Sequence, residues 1–277
     1  MSRRDLVLYI ASLVPFFAVF LFGITVQARN KRRKLLSEKV LRPPGHSLKQ
    51  RLETWTEQFD TLGWTAMGIP LVTIISLEPL NLSWQAKALP LLAFSITLAC
   101  IGLYVHAERR KLRLAIDGEV IVAEFLNELR AHGYRIYHDY PTDSGNIDHI
   151  IIGRGGVFAV ETKARRKSKG GEGHKVTFEQ GRMNFPTGSD TSMIPQAIRQ
   201  AEWLAQHLAK GSTERVSVEA ILALPGWWVE LKEKPPILIL NPKQISSTLA
   251  KRPALITDEQ TKRIAFHIEE RVRDVEV

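Results

Sequence analysis

The sequence predicts an α/β domain, a mixed central sheet flanked by helices, preceded by an α-helical membrane region of three spans. Two observations carry the α/β part. Gly145-Asn146-Ile147-Asp148-His149-Ile150-Ile151-Ile152-Gly153 and Gly156-Val157-Phe158-Ala159-Val160-Glu161-Thr162-Lys163 are apolar runs bounded by glycine, and Arg154-Gly155 between them makes a tight hairpin turn. Around that hairpin the pattern reads helix, three strands, helix, strand. The membrane part rests on a third observation: long apolar runs are confined to roughly the first hundred residues, and the rest of the chain is polar and mixed.

Taken in order, Leu6–Val26 carries no charge and is long enough to cross a bilayer. Met1-Ser2-Arg3-Arg4 and Val26-Gln27-Ala28 offer a signal-peptide reading. The cluster Arg29, Lys31, Arg32, Arg33, Lys34 opposes it, because such a cluster stays in the cytoplasm. The expectation is an uncleaved span. Leu48, Leu52, Trp55 and Phe59 recur at helical spacing, as in a helix lying on a membrane or packed on a domain. Leu62–Leu77 and Ala88–Val105 are the second and third expected spans, joined by a loop around Asn81, and Arg109, Arg110, Lys111 and Arg113 come directly after. The basic clusters place the chain from about residue 107 in the cytoplasm of a multi-pass inner or plasma membrane protein. Residues 1–106 are then the membrane-anchoring region, and residues 107–277 the cytoplasmic domain.

Within that domain Ala115–Ala131 reads as an amphipathic helix stopped by His132-Gly133. Tyr134–Tyr137 is a short strand, and Pro141–Gly145 a loop. Lys175–Phe178 and Arg182–Phe185 make a hairpin, Gln196–Ala209 a helix ending near Gly211, and Val216–Leu224 and Ile237–Leu240 strands. Trp227 and Trp228 fall in a loop, and Thr257-Asp258-Glu259-Gln260 opens the last helix with a capping-type start.

Composition narrows the chemistry. A single cysteine, Cys100, excludes an intramolecular disulfide and a zinc site built on cysteines. The net charge of +9 suits nucleic acid or anionic lipid without choosing between them. The informative residues are the ionisable ones that interrupt the apolar hairpin. Strand alternation points Glu161 and Lys163 to one side, and Asp148 in the neighbouring strand can face that side too. Two carboxylates and an ammonium at a sheet edge are costly unless they pair with one another or hold a metal.

The ordered set Glu119, Asp148, Glu161, Lys163 and Gln196 resembles the nuclease-related domain (NERD), a branch of the restriction-endonuclease-like nucleases with an Asp…Glu-x-Lys signature. The resemblance covers about 116–224. Gly118-Glu119 stands where the family's Gly-Glu opens a helix, and Gln196, seven residues before Trp203, matches its glutamine. Ser192-Met193 stands where the family often has Asn-Pro, and Pro195 directly precedes Gln196. The resemblance implies a restriction-endonuclease-like core and phosphodiester hydrolysis with Mg²⁺ or Mn²⁺, DNA being the expected substrate. Asp148 and Glu161 are the natural ligands for a hard cation, with the Thr162 carbonyl as a further candidate oxygen. Lys163 would orient water or stabilise developing charge; Gln196 and Glu119 complete the pocket.

Plainer readings stand beside each of these. The charged trio also suits an exposed salt bridge at a strand edge, and the whole domain a non-catalytic module that binds nucleic acid or a protein at the membrane face. His149 reads as a packing histidine, while His138 and Asp139 could approach the site without being required there. Arg165, Arg166, Lys167 and Lys169 form a basic loop that is a phosphate clamp or a solvated face. Trp227 and Trp228 pack in a core or at a membrane surface, with base stacking as the alternative.

Overall fold

The structure is a computed structural model and describes residues 39–77, 83–167, 173–211 and 216–275. These fall into two compact units: Gln50–Lys111 lie in one, and the described parts of Leu36–Lys49 and Leu112–Val277 form the other.

Parts of two helices supply the first unit, α1 (His46–Leu77) from Gln50 onward and α2 (Trp84–Leu126) as far as Lys111. Among the described residues α2 contains the one stretch long and apolar enough to cross a membrane. Leu89, Leu92, Ile96, Ile101 and Leu103 all expose their side chains along it. Three spans are therefore not what the structure supports. The expected span at 6–26 lies outside the described residues. Leu62–Leu77 is the second half of α1, whose preceding turns carry Glu57, Gln58 and Asp60, so no long uninterrupted apolar stretch forms there.

Helix α2 also corrects the expected start at Ala115. Good helix formers from Arg109 to Leu114 leave nothing to break the chain, and α2 runs through Gly118-Glu119 rather than opening at them. It gives way to a 3-10 turn over Asn127–His132, closed by Gly133 in the left-handed conformation.

The second unit is a mixed α/β fold. Its main strands are β2 (Arg135–Thr142), β3 (Gly145–Gly153), β4 (Gly156–Thr162), β8 (Val218–Ala223) and β10 (Leu238–Leu240), in the order β10-β8-β4-β3-β2. β2, β3 and β4 pair antiparallel, whereas β4 with β8 and β8 with β10 pair parallel. Every residue of β4 is buried, which explains its unbroken apolar run. The loop expected at Pro141–Gly145 is shorter. β2 runs on to Thr142 and turns at Asp143-Ser144, because β2 is the sheet edge and Pro141 needs no ladder donor there.

Helices α3 (Met193–Gly211) and α5 (Asp258–Val272) cover one face, packing Ala197, Leu204, Ile264 and Ile268 on Ile150, Ile152 and Ala159. The last turns of α2 and α4 (Pro242–Ala250) cover the other with Val122, Leu126, Ile245 and Leu249 on Ile151, Phe158 and Val160. Each of the larger side chains, Val, Leu, Ile and Phe, contributes about 1.5–3 kcal/mol on burial. The capping start of α5 is present in full: Thr257 and Gln260 cap each other's backbone N–H groups.

A smaller sheet holds β5 (Lys175–Glu179), β6 (Arg182–Phe185), β7 (Gly188–Asp190) and β9 (Trp228–Leu231), and includes the expected hairpin. The two tryptophans separate. Trp227 is fully buried against Phe185, ring centroids 5.0 Å apart, and Trp228 begins β9 with 64% of its surface exposed. Finally, β1 (Val40–Leu41) pairs with β11 (Arg273–Val275), tying residues far apart in sequence into one unit.

Candidate active site

The site lies at one end of the main sheet. His149 of β3 is opposite Val160 of β4, so one step further along brings Asp148 beside Glu161. At that step the Asp148 carboxylate accepts the Thr162 N–H, 2.6 Å away. Glu161 is buried, and hydrogen-bond donors close around it. Its Oε1 accepts from Gln196 Nε2 at 2.7 Å and pairs with Lys163 Nζ at 2.6 Å, while its Oε2 accepts from Gln200 Nε2 at 2.6 Å. Lys163 Nζ also donates to Gln196 Oε1 at 3.0 Å, which completes a ring of three side chains. Gln196 and Gln200 are one turn apart on α3 and so reach the same carboxylate. Gln200 donates in addition to the Asn146 carbonyl, 3.2 Å away.

Glu119 reaches the same region from α2. Gly118 makes that approach possible: a Cβ there would stand 2.5 Å from the Ala164 Cβ, so only glycine lets the helix lie against the end of β4. Burial pushes the Glu119 carboxyl up to about 7. Asp139 and then Glu161 push the same way, and the Gly45 N–H and Lys49 work against them. Asp148 is pushed well above the usual carboxylate range by burial first, then by Glu161 and Glu119, with the Thr162 N–H and Lys163 pulling back. Glu119 Oε2 has no hydrogen-bond partner among the described residues. A cleft of about 600 Å³ opens here, with Glu119, Asp148, Asn146, Gln196 and Gln200 in its wall.

A buried support stands behind these groups. Asp139 takes a left-handed backbone, φ 53°, between His138 opposite His149 and Tyr140 opposite Ile147. Such a conformation is uncommon for a non-glycine residue and persists only where its surroundings impose it. They do so here: Asp139 is fully buried and accepts from Ser47 Oγ at 2.5 Å, Asn146 Nδ2 at 2.7 Å and the Arg42 guanidinium at 3.1 Å. Arg42 continues to Asp274, which it grips through Nε and NH2. Residues 42–47 thus belong to the site, through Arg42, the Gly45 N–H and Ser47.

Among the described residues, no group of three or more His, Cys, Asp or Glu side chains could hold a metal ion on its own. The chemistry of the donors still suits a hard divalent cation of the Mg²⁺ type, which takes one or two carboxylates and keeps several waters. Asp148 and Glu161 are oxygen donors that repel each other, and Glu119 offers an unpartnered oxygen nearby.

The five residues singled out in the sequence, Glu119, Asp148, Glu161, Lys163 and Gln196, come together. The basic loop is less uniform. Arg165 is held by Asp190 at 3.3 Å and lies over the Phe185 ring at 4.4 Å. Arg166 and Lys167 are exposed, and Lys169 lies outside the described residues. His149 packs as expected, its Nδ1 2.8 Å from His138 Nδ1. Burial lowers His149 well below the usual range and His138 to about 4, so both rings are neutral at pH 7. Sequence reasoning missed Gln200, Asn146 and Arg42. Gln200 carried a signal, its one-turn spacing from Gln196. Arg42 carried none, since 97 residues separate it from Asp139.

Residues 115–225 match the nuclease-related domain, NERD. The match begins inside α2, ends just beyond β8, and encloses all five site residues. Arg42, Gly45, Ser47 and Asp274 lie outside the NERD region. No curated protein and no solved structure matches the chain.

The perturbed Glu119 gives a pH-dependent expectation. Its proton is held more tightly in the folded than in the unfolded chain, whose ordinary value is 4.5. The stability it contributes is therefore full below that value and lost as pH rises through about 7. In Glu119→Gln that loss is absent. In chelator, the variant should unfold like the wild-type chain near pH 4 and gain on the order of 1–3 kcal/mol over it at pH 8. Denaturant titrations at the two pH values check this.

Proposed function

We propose that the chain is a membrane-anchored, metal-dependent nuclease that hydrolyses phosphodiester bonds, with DNA as its substrate. The observation that carries the reading is the meeting of Asp148 and Glu161 with Lys163 inside a NERD match, beside an open cleft. Asp148 and Glu161 would hold Mg²⁺ or Mn²⁺, which supplies an activated water and neutralises charge on the phosphate. Lys163, whose side chain is partly exposed, would stabilise negative charge as it develops on the phosphate oxygens. Gln196 fixes the Lys163 ammonium and one Glu161 oxygen together, and Gln200 fixes the other oxygen. Both glutamines are positioning residues in this scheme.

Anchoring rests on the apolar part of α2, residues 88–105, and on the cations Arg109, Arg110, Lys111 and Arg113 that come after it and hold the NERD region in the cytoplasm. A reporter fused at Val277 should be active only in its cytoplasmic form, and an exported reporter there would contradict the placement. The rival is a non-catalytic module, and it draws on the closed Glu161–Gln196–Lys163 ring, which is satisfied without a metal. Incubating the purified chain with linear DNA and with RNA separates the two readings. The nuclease reading expects degradation with Mg²⁺ or Mn²⁺ that stops in chelator; no cleavage of either polymer with either metal sinks it.

A further inference from the structure

A second cleft, of about 750 Å³, opens at the same end of the sheet as the carboxylate cleft, with which it shares no lining residue. One pair of consecutive residues links them. Gly118 lines the second cleft and Glu119 the first. Ala164 and Arg165 line the second directly after Lys163, whose ammonium sits on Glu161 and Gln196. Nothing in the hydrolytic scheme uses this cleft.

Its wall combines cations with one exposed aromatic ring. Arg165, Lys167 and Lys243 line it, Arg165 being paired with Asp190, against one lining acid, Asp117, among the described residues. Lys167 reaches over the turn at Gly226, where a Cβ would lie 3.6 Å from its Nζ. Trp228 comes after that turn, and the contrast with its neighbour is the telling feature. Trp227 is buried completely, whereas Trp228 leaves 64% of its surface in solvent. Its backbone is nevertheless fixed, with its N–H donated to the His174 carbonyl at 2.8 Å and its register set opposite Lys175. A rigidly held, solvent-facing indole beside lysines is the arrangement that stacks on an unpaired base while cations take the neighbouring phosphates. A base inside a duplex offers no such free face.

We infer that this cleft binds a single-stranded stretch of nucleic acid, with one base on Trp228 and phosphates on Lys167 and Lys243, and leads the strand to the carboxylate cleft. The inference rests on the nuclease reading for the purpose of the strand path, but binding is measured separately from cleavage.

The test uses the full chain in a mild detergent and in chelator, with fluorescein-labelled DNA and RNA single strands of about 12 nucleotides and a duplex of the same sequence. Anisotropy titrations should show the single strand bound more tightly than the duplex. Trp228→Ala should weaken single-strand binding about tenfold and leave the duplex unchanged, and Trp228→Phe should restore most of the loss. Lys243→Glu should weaken binding and make its salt dependence shallower. Lys262→Glu, an equal charge change on α5, should alter neither. Unchanged single-strand binding in Trp228→Ala overturns the inference, as does a loss in Lys262→Glu equal to that in Lys243→Glu. If Mg²⁺-dependent cleavage persists while Trp228→Ala binds like wild type, the strand path falls and the nuclease reading stands. A wild-type chain that binds single strands through Trp228 yet cleaves nothing in Mg²⁺ keeps the strand path and loses the nuclease reading.

Discussion

Lys163→Ala slows cleavage on the order of 100-fold or more, while nucleic-acid affinity and metal binding stay close to wild type. The magnitude is that of removing one fixed electrostatic stabiliser. The split arises from geometry. The ammonium is held between Glu161 and Gln196 on a side chain that is partly exposed, so it can meet a phosphate oxygen without being needed for the carboxylates to bind a cation. Lys163→Arg should not restore the rate, because the longer, planar guanidinium spreads its charge and places it differently from the compact ammonium held by one carboxylate oxygen and one amide oxygen. Single-turnover rates at saturating nucleic acid, set beside Mn²⁺ titrations of the same variants, check both halves. A Lys163→Ala chain with normal turnover would remove this residue from the chemistry.

Arg42→Ala destabilises the fold by about 3–5 kcal/mol, the cost of leaving a buried carboxylate without its partner. Asp139 is fully buried and Arg42 mostly so, and Asp274 loses its bidentate partner in the same change. Against a typical total of about 5–15 kcal/mol this is a large fraction. Combining Arg42→Ala with Asp139→Asn should recover part of the loss, since the amide removes the orphaned charge and keeps its hydrogen bonds to Asn146 and Ser47 in reach. Denaturant midpoints of the single and double variants measure it. Additive losses would show that the two side chains do not act as a pair. A fragment that begins after Lys49 should be weakened for the same reason, as it lacks Arg42, Ser47 and the Gly45 N–H that faces Glu119.

The part of the site that was legible from the residues themselves is the part set by strand periodicity. An Asp-His-Ile-Ile-Ile run and a Glu-Thr-Lys end, separated by a two-residue turn, can register in few ways, and the turn dictates the pairing of His149 with Val160. Gln196 was reachable only through the resemblance to the nuclease-related domain, and its helix packs its apolar face on the sheet. Asp139 was only half legible. Its left-handed backbone depends on Arg42, Ser47 and Asn146 around it, and no local pattern announces that. The same limit hid the start of α2, which passes through Gly118-Glu119 without a break, and the pairing of β1 with β11. Trp227 and Trp228 are identical in type and adjacent in sequence, and only packing under the small sheet distinguishes the buried ring from the exposed one. The second expected span is not supported, for a simpler reason. The short apolar run Leu62–Leu77 resembles a span when read alone and does not when read as the end of α1, behind a polar helical segment.

The central claim is that Asp148 and Glu161 hold a metal that Lys163 and the two glutamines serve. The most direct measurement compares the wild-type chain with Glu161→Ala, each with Mg²⁺ and with chelator, following DNA cleavage and Mn²⁺ binding in the same preparations. Cleavage by wild type only in metal, with both cleavage and Mn²⁺ affinity lost in a folded Glu161→Ala, is the predicted result. Cleavage that continues in Glu161→Ala, or a wild-type chain that binds no Mn²⁺, would contradict it.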